Sequence, residues 1–257
     1  MKLQHAGVTG VLAVLLMGGA ANALAQKSDD IKVTLGLKLW LTEWDTPLVS
    51  NDPVTGNNVQ TFFAHGRIAP IPSLSVRYRD FLASTDYFVK TNYGFGSQSR
   101  AEIGLPVLVT NAVSAKREEF GLNVGYFVVP QLAVTVGYKR VDQHYTQTES
   151  GPGLVTATGR STTKNEAVTV GILGSAPIGG GFNMYGNGSI GPARASAPGG
   201  FSGNGYYGST ELGVAYPIAA NTVLSLGYKY QLISIGVFGQ RARDITNGVV
   251  AGLSYTF

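Results

Sequence analysis

The stretch IKVTLGLKLWLTEWD, residues 31–45, alternates apolar and polar side chains with a period of two. One face carries Val33, Leu35, Leu37, Leu39 and Leu41, and the other carries Lys32, Thr34, Gly36, Lys38 and Thr42. Because successive side chains of a strand point to opposite faces, this pattern predicts a strand between two different environments. In a soluble sandwich the apolar face would form the core, whereas in a membrane barrel it meets lipid and the polar face lines the lumen.

The same alternation recurs along the rest of the chain. Further segments lie near residues 68–79, 86–96, 117–128, 132–140, 168–172, 182–190, 211–216, 224–229 and 249–257. Short turns are expected at 80–85, 129–131, 175–181 and 217–221, and long polar loops at 45–66, 97–116, 143–163 and 190–205, with a shorter one at 238–243. Short connections on one side and long ones on the other are typical of membrane barrels. The sequence therefore predicts an all-β, closed, antiparallel up-and-down transmembrane barrel of about ten strands, with eight or twelve as alternatives.

The composition agrees with lipid contact by strands. Of the 257 residues, 44% are hydrophobic and 13% charged, against about 25% charged in a typical soluble domain. The absence of cysteine excludes disulfides and thiolate metal sites, and no metal-ligand spacing or cofactor motif is found. A formal net charge of +4 is too small to argue for nucleic acid as a partner.

The first 25 residues have the pattern of a cleaved signal peptide. Lys2 supplies the positive charge, an apolar stretch runs from Ala6 to Met17, and Ala23 and Ala25 are the small residues before a cut at Gln26. The apolar stretch is shorter than the ~20 residues of a spanning helix. We expect an exported chain whose residues 26–257 form one barrel domain.

The C-terminal end carries an assembly pattern. The chain ends in Phe257, preceded at every second position by Tyr255, Leu253, Ala251 and Val249. This resembles the C-terminal signature of Gram-negative outer-membrane β-barrels, and the chain has a general likeness to the small OmpA, OmpX and OmpW barrels. The resemblance implies an outer-membrane location, recognition by the barrel-assembly machinery, and contact with outer-membrane lipid and lipopolysaccharide. It does not imply a particular activity.

The alternation that decides which residues of a strand point inwards, here called the strand phase, assigns a set of charges to the barrel interior. The predicted lumen charges are Lys38, Arg77, Arg79, Asp86, Lys90, Glu119, Lys139, Glu211 and Lys229, to which Lys32, Arg117 and Asp244 also belong. A ten-stranded barrel is narrow, so these groups either interlock as a plug or line a tight pore. Because cations are in excess, the pore alternative would favour anions. The first hypothesis is therefore a structural or surface-interacting barrel with long extracellular loops, and a narrow anion-leaning channel is the second.

An outer-rim hydrolase is the third hypothesis. Asp142 and His144 could orient an imidazole for general-base work, and Glu43 and Asp45 end the first strand. This resembles the omptins, ten-stranded outer-membrane proteases that combine an Asp-His pair with acidic residues at the outer rim. The strand phase, however, places the Asp-His pair on the outward face, and we predict a protein without an enzyme site.

Strand register and aromatic belts give geometric predictions. A four-residue turn would pair Arg79 with Asp86 inside the barrel, and a three-residue turn would pair Glu211 with Lys229 there. Aromatic side chains on the outward face should form two belts at the headgroup levels. The periplasmic belt is predicted to contain Tyr78, Tyr87, Tyr216, Tyr255 and Phe257, and the outer belt Tyr93, Phe95, Phe120, Tyr138, Tyr228 and Tyr230.

Overall fold

The computed structural model describes residues 31–52, 56–101, 108–151, 156–198, 201–237 and 240–257. The predicted signal peptide, with Ala23, Ala25 and Gln26 at its cleavage site, lies outside the described residues. No helix within the described ranges is long and apolar enough to cross a membrane.

Ten antiparallel strands form a closed barrel in which each strand pairs with its neighbours in sequence and β1 pairs with β10. The predicted ten-stranded up-and-down barrel is therefore confirmed. The strands are β1 (Ile31–Asp52), β2 (Gly56–Tyr78), β3 (Phe81–Ala101), β4 (Leu108–Val129), β5 (Leu132–Ser150), β6 (Ala157–Gly179), β7 (Phe182–Ala197), β8 (Phe201–Ala219), β9 (Thr222–Val237) and β10 (Gln240–Thr256).

The two faces of β1 show why these segments form a barrel wall. Leu35, Leu37 and Leu39 are each close to half exposed on the outer surface, while Trp40 and Trp44 are fully buried on the inner side. A row of exposed leucines is unfavourable in water but favourable against lipid. The outer wall of the other strands is likewise rich in exposed Val, Leu and aromatic side chains.

Within the described residues, the long polar connections are almost entirely strands rather than loops, which corrects the prediction for the described parts of 45–66, 97–116, 143–163 and 190–205. For example, β1 and β2 stay paired from Trp40 and Ala69 out to Asp52 and Gly56. A 22-residue strand is about 70 Å long, whereas ~9–11 residues are enough to cross a bilayer. About half of each long strand therefore projects beyond the membrane as a polar β-sheet.

Tight turns occupy the opposite end of the barrel. Residues 79–80, 130–131, 180–181 and 220–221 each make a two-residue connection. Short turns are on the periplasmic side in barrels of this kind, so the long hairpins point outwards. Arg79 has a φ of 53°, a left-handed conformation that permits a two-residue turn in place of the predicted four-residue one.

Several irregularities in the described strands shape the interior, and two of them bear on the lumen residues below. The pairing of β3 with β4 shifts between Phe88 and Thr91, so the inward side chains change from even to odd numbers beyond this bulge. On β10, Gly248 has a φ of 147° and packs against the carbonyl of Leu41, where a Cβ would not fit. The carbonyl of Gly248 accepts a hydrogen bond from the Trp40 indole at 3.3 Å.

The seam between β2 and β3 has few ladder hydrogen bonds. Its pairing covers six residue pairs, from Ser73 with Asp86 to Tyr78 with Phe81. Pro70 and Pro72 precede this segment and have no N–H to donate to a ladder. Inward side chains of both strands pack in one apolar cluster behind the seam, so side-chain packing there takes the place of backbone pairing.

Candidate functional site in the barrel lumen

The strand phase brings most of the predicted charges into the barrel interior. Inside the wall lie Lys38 on β1, Asp86 on β3, Glu119 on β4, Lys139 on β5, Glu211 on β8 and Lys229 on β9. Arg77 lies at the periplasmic mouth, where its guanidinium stacks on the Phe127 ring at 3.8 Å and donates to the carbonyl of Arg79 at 3.1 Å.

Two of the predicted lumen charges are wrong. Arg79 belongs to the turn after β2, and the register pairs Asp86 with Ser73 instead of with Arg79. Lys90 lies within the β3 bulge and points outwards, where its Nζ lies 3.4 Å from Glu118. A bulge adds one residue and reverses the strand phase, which alternation alone does not reveal.

The periplasmic part of the network is centred on Glu211. Its carboxylate accepts hydrogen bonds from Lys38 Nζ at 2.6 Å and from Tyr185 Oη at 3.1 Å. Glu211 and Lys229 are directly opposite on β8 and β9, as predicted. Lys229 Nζ lies 4.7 Å from the centre of the Trp40 ring, in cation–π geometry. Lys38 and Glu211 come from distant strands, so their ion pair crosses the lumen.

The middle of the network is centred on Glu119. Arg117 Nε donates to its carboxylate at 2.8 Å and Gln231 Nε2 at 2.9 Å, and Lys139 Nζ lies at 3.0 Å. Lys139 also donates to Asp86 at 3.0 Å. Strands β3, β4, β5 and β9 are thereby joined through side chains across the barrel.

The outer part of the network is centred on Asp244. Its carboxylate accepts hydrogen bonds from Arg117 at 2.7 Å, from Gln143 at 2.8 Å and from the Trp44 indole at 2.8 Å. The donors come from β4, β5 and β1, while Asp244 itself is on β10. Arg117 has no exposed surface and joins the middle of the network to its outer part.

An aromatic layer covers the network on its outer side. Trp44 packs edge-on against Tyr93 and Phe95, with ring centroids 4.8 and 5.1 Å apart. The hydroxyls of Thr46 and Tyr145 lie 2.7 Å apart, on strands four positions apart around the barrel. Tyr93 and Phe95 were predicted in the outer lipid belt, but the β3 bulge turns both inwards. Tyr87, predicted in the periplasmic belt, lies opposite Phe120 near the outer belt.

The charges of the described network balance. Its cations are Lys38, Arg117, Lys139 and Lys229, and its carboxylates are Asp86, Glu119, Glu211 and Asp244. The structure places Arg79 and Lys90 outside the lumen and Arg77 and Lys32 at its periplasmic mouth. The predicted excess of cations in the lumen is therefore wrong. Buried charges are tolerated when they are paired and hydrogen-bonded, as Lys38, Arg117 and Lys139 are here, while Lys229 lies over the Trp40 ring and opposite Glu211 in register.

Trp40, Trp44 and Tyr145 complete the closure, although none of them is among the predicted site residues. The numbering offered a signal for two of them, because Trp40 and Trp44 are even-numbered like the lumen residues Lys38 and Thr42. Bulky tryptophans in lumen phase indicate a filled interior. The sequence carries no comparable signal for Tyr93 and Phe95, because their side chains point inwards only as a result of the bulge.

The outer-rim residues do not come together. Asp142 pairs with Arg140 at 2.9 Å, and His144 Nδ1 lies 3.1 Å from the Thr162 hydroxyl, all on the outward face. Glu43 and Asp45 are on β1, four strands away around the barrel. Burial and the neighbouring carboxylate of Glu43 raise the pKa of Asp45. The structure therefore does not assemble the omptin-like combination of acidic and Asp-His residues.

The last strand presents the predicted assembly residues to the outside. Leu253, Tyr255 and Phe257 are all exposed on the outer surface. The rings of Tyr255 and Phe257 are 4.8 Å apart, and the Phe257 N–H donates to the carbonyl of Val33 at 2.8 Å. Their role in assembly remains a prediction.

Comparisons with known proteins agree with this architecture. The model of the OmpA-like transmembrane domain family matches residues 91–257, which is more than half of the chain. The chain belongs to this family. It is an outer-membrane β-barrel, which confirms the predicted location and superfamily. No curated protein sequence matches the chain.

Solved structures show how far the similarity extends. The outer membrane protease OmpT from Escherichia coli is 11% identical with a TM-score of 0.60, and the match covers 89% of this chain and 97% of that one. The toluene transporter TodX of Pseudomonas putida has 11% identity and a TM-score of 0.36, with 89% and 90% of the chains covered. Ail, the attachment invasion locus protein of Yersinia pestis, has 9% identity and a TM-score of 0.33, with 89% and 99% covered. At 11% identity the likeness to OmpT is one of fold.

Proposed function

We propose that this OmpA-like barrel is closed to solutes and acts as a membrane anchor for its projecting outer β-sheet. The observation that carries the proposal is the neutral side-chain network across the lumen, with Arg117 fully buried between Glu119 and Asp244. A conducting path needs sites that an ion can enter and leave, whereas Lys38, Arg117 and Lys139 are already paired with carboxylates of the network.

The balance of charges argues against the anion-leaning channel. An excess of cations would attract anions, but the described network has as many carboxylates as cations. The aromatic layer around Trp44 adds a second, apolar barrier on the outer side. We therefore favour the structural or surface-interacting role over transport, and the separation of His144 from Glu43 and Asp45 offers no support for a hydrolase.

The long hairpins are the part of the molecule that meets the surroundings of the cell. They continue the barrel beyond the apolar wall as paired strands, so their polar surface is held in a fixed shape rather than as independent loops. A rigid, projecting sheet is suited to surface interaction because little conformational entropy is lost on contact.

Liposome swelling tests the closed barrel. Refolded protein in liposomes should give no swelling with a small sugar such as arabinose, at protein-to-lipid ratios where an open porin gives full swelling. Swelling at a substantial fraction of the porin rate would overturn the proposal and restore the channel hypothesis.

A further inference from the structure

The outer wall of strands β3 to β6 changes character abruptly towards its outer end. On β4 the outward side chains are Val124, Leu122 and Phe120, followed by Glu118 and Lys116. On β5 the order is Val134, Val136 and Tyr138, followed by Arg140, Asp142 and His144. Aromatic rings favour the headgroup level of a membrane, so the polar positions that follow them lie among or just above the lipid headgroups.

A groove lies on this polar part of the wall. The register places Asn92, Lys116, His144 and Thr162 side by side on four adjacent strands. The next row outwards contains Ser114, Thr146 and Arg160, and Lys90 lies at the membrane side. Together these residues line a cavity of about 730 Å³. Its walls offer three permanent cations together with hydroxyl, amide and imidazole groups.

The groove has unbalanced positive charge. Lys90 Nζ lies 3.4 Å and His144 Nε2 3.5 Å from the Glu118 carboxylate. Lys116 and Arg160 have no carboxylate within 4.0 Å among the described residues. Both are exposed, so their charges are available to a ligand. Glu118 supplies one negative charge against these cations, so a bound anion would reduce the remaining positive charge.

We propose that this groove binds the phosphate group of a phosphorylated glycolipid in the outer leaflet of the outer membrane. Cations next to an anionic lipid surface attract its headgroups, and the guanidinium of arginine matches phosphate geometry with two parallel hydrogen bonds. The groove is on the outer wall beyond the aromatic girdle, with Lys116 four residues past Phe120 on β4 and His144 six residues past Tyr138 on β5. The proposal goes beyond the closed-barrel function and does not depend on it.

Binding of lipid A tests the proposal. The refolded chain, in zwitterionic detergent micelles, is titrated by calorimetry with bis-phosphorylated lipid A and with the same lipid after phosphate removal. The variant Lys116→Gln/Arg160→Gln removes the two unpaired cations. Arg241→Gln/Arg243→Gln on β10 is the matched control, because both of these arginines are exposed on the outer wall elsewhere on the barrel. Heat-modifiable migration on gels verifies that each variant is folded.

We expect phosphorylated lipid A to bind at least tenfold more tightly than the dephosphorylated lipid. The groove variant should lose about fivefold in affinity for each cation removed, while the control stays within about twofold of the unchanged protein. Equal binding of the two lipids, or an equal loss in both variants, would overturn the proposal. Inorganic phosphate is added as a competitor, and full competition at concentrations comparable to the lipid would assign the groove to soluble phosphate instead.

Discussion

Arg117 is held between two carboxylates without any exposed surface, one from its own strand and one from β10. Removing one partner of a buried ion pair leaves an uncompensated charge and typically costs ~3–5 kcal/mol. We therefore expect Arg117→Met to lower the free energy of unfolding by about that amount. Urea titration of the vesicle-inserted protein can be followed by the fluorescence of Trp40 and Trp44, the only two tryptophans in the chain.

Lys90→Met is the matched control for Arg117→Met. Lys90 pairs with Glu118 on the exposed outer wall, and ion pairs of that kind contribute ~0–1 kcal/mol. The difference between the two variants in lost unfolding free energy measures how much the buried ion pairs of Arg117 contribute to stability. Similar losses of stability for both would contradict the interlocked side-chain network described above.

Glu118 gives a pH prediction outside the apolar wall. Burial opposes its ionisation, but hydrogen bonds from Tyr87 and Lys90, the charge of Lys90 and a hydrogen bond from His144 outweigh this and lower the pKa of Glu118. Asp142 faces it across the strand pair. A lowered folded-state pKa means that Glu118 stabilises the protein above its ordinary pKa of 4.5, and that this stability is lost as pH falls through the folded value.

The pH prediction is checked by comparing the unchanged protein with Glu118→Gln. The difference in unfolding free energy should be constant at neutral pH and should shrink below about pH 4.5. A difference that grows in acid would mean that the sign of the pKa shift is wrong.

The outer part of the β1–β2 hairpin is expected to be dispensable for insertion. Replacing residues 48–60 by an Asn-Gly turn would close the hairpin at the pair Pro47 and Thr61. Because the removed part lies beyond the apolar wall, the shortened barrel should insert and keep its heat-modifiable migration. Failure to insert would show that the outer sheet is part of the folding unit.

The last strand carries a second prediction at this scale. Phe257→Asp should lower the amount of protein in the outer membrane severalfold if the terminal aromatic is the assembly signal. Phe182→Asp changes another exposed aromatic at the periplasmic end and serves as the control, for which near-normal levels are expected. Equal levels of both variants in isolated outer membranes would remove the assembly role of Phe257.

The sequence predicts which side chains point into the lumen wherever a strand is regular. Glu211 and Lys229 face each other as expected because β8 and β9 are paired without a shift from Gly205 with Ile235 to Pro217 with Val223. The turn that follows is two residues long instead of the predicted three, and a register shift between Pro217 and Ala219 compensates for the difference. The predicted pair of Arg79 with Asp86 failed because the backbone of Arg79 adopts a positive φ and the turn is two residues long. Lys90 and Tyr93 failed because a bulge reverses the phase, a backbone event without a side-chain signature.

For the barrel as a whole, the sequence predicts most of the charged residues that line the lumen but does not predict which of them form ion pairs. Which cation meets which carboxylate depends on shear around the barrel, and the ion pair of Lys38 with Glu211 joins residues 173 positions apart. The sequence predicts loops for the polar outer hairpins because strands that are in water on both faces show no apolar alternation. Their strands are set by continued pairing from the membrane part.

Ionic current through a planar lipid bilayer shows whether the side chains close the lumen. The unchanged protein should give no step-like conductance, whereas Trp44→Ala/Arg117→Ala, which removes the link between the aromatic layer and the network, should give discrete steps under the same voltage. Stable conductance steps from the unchanged protein, above all steps that favour anions, would contradict the closed barrel.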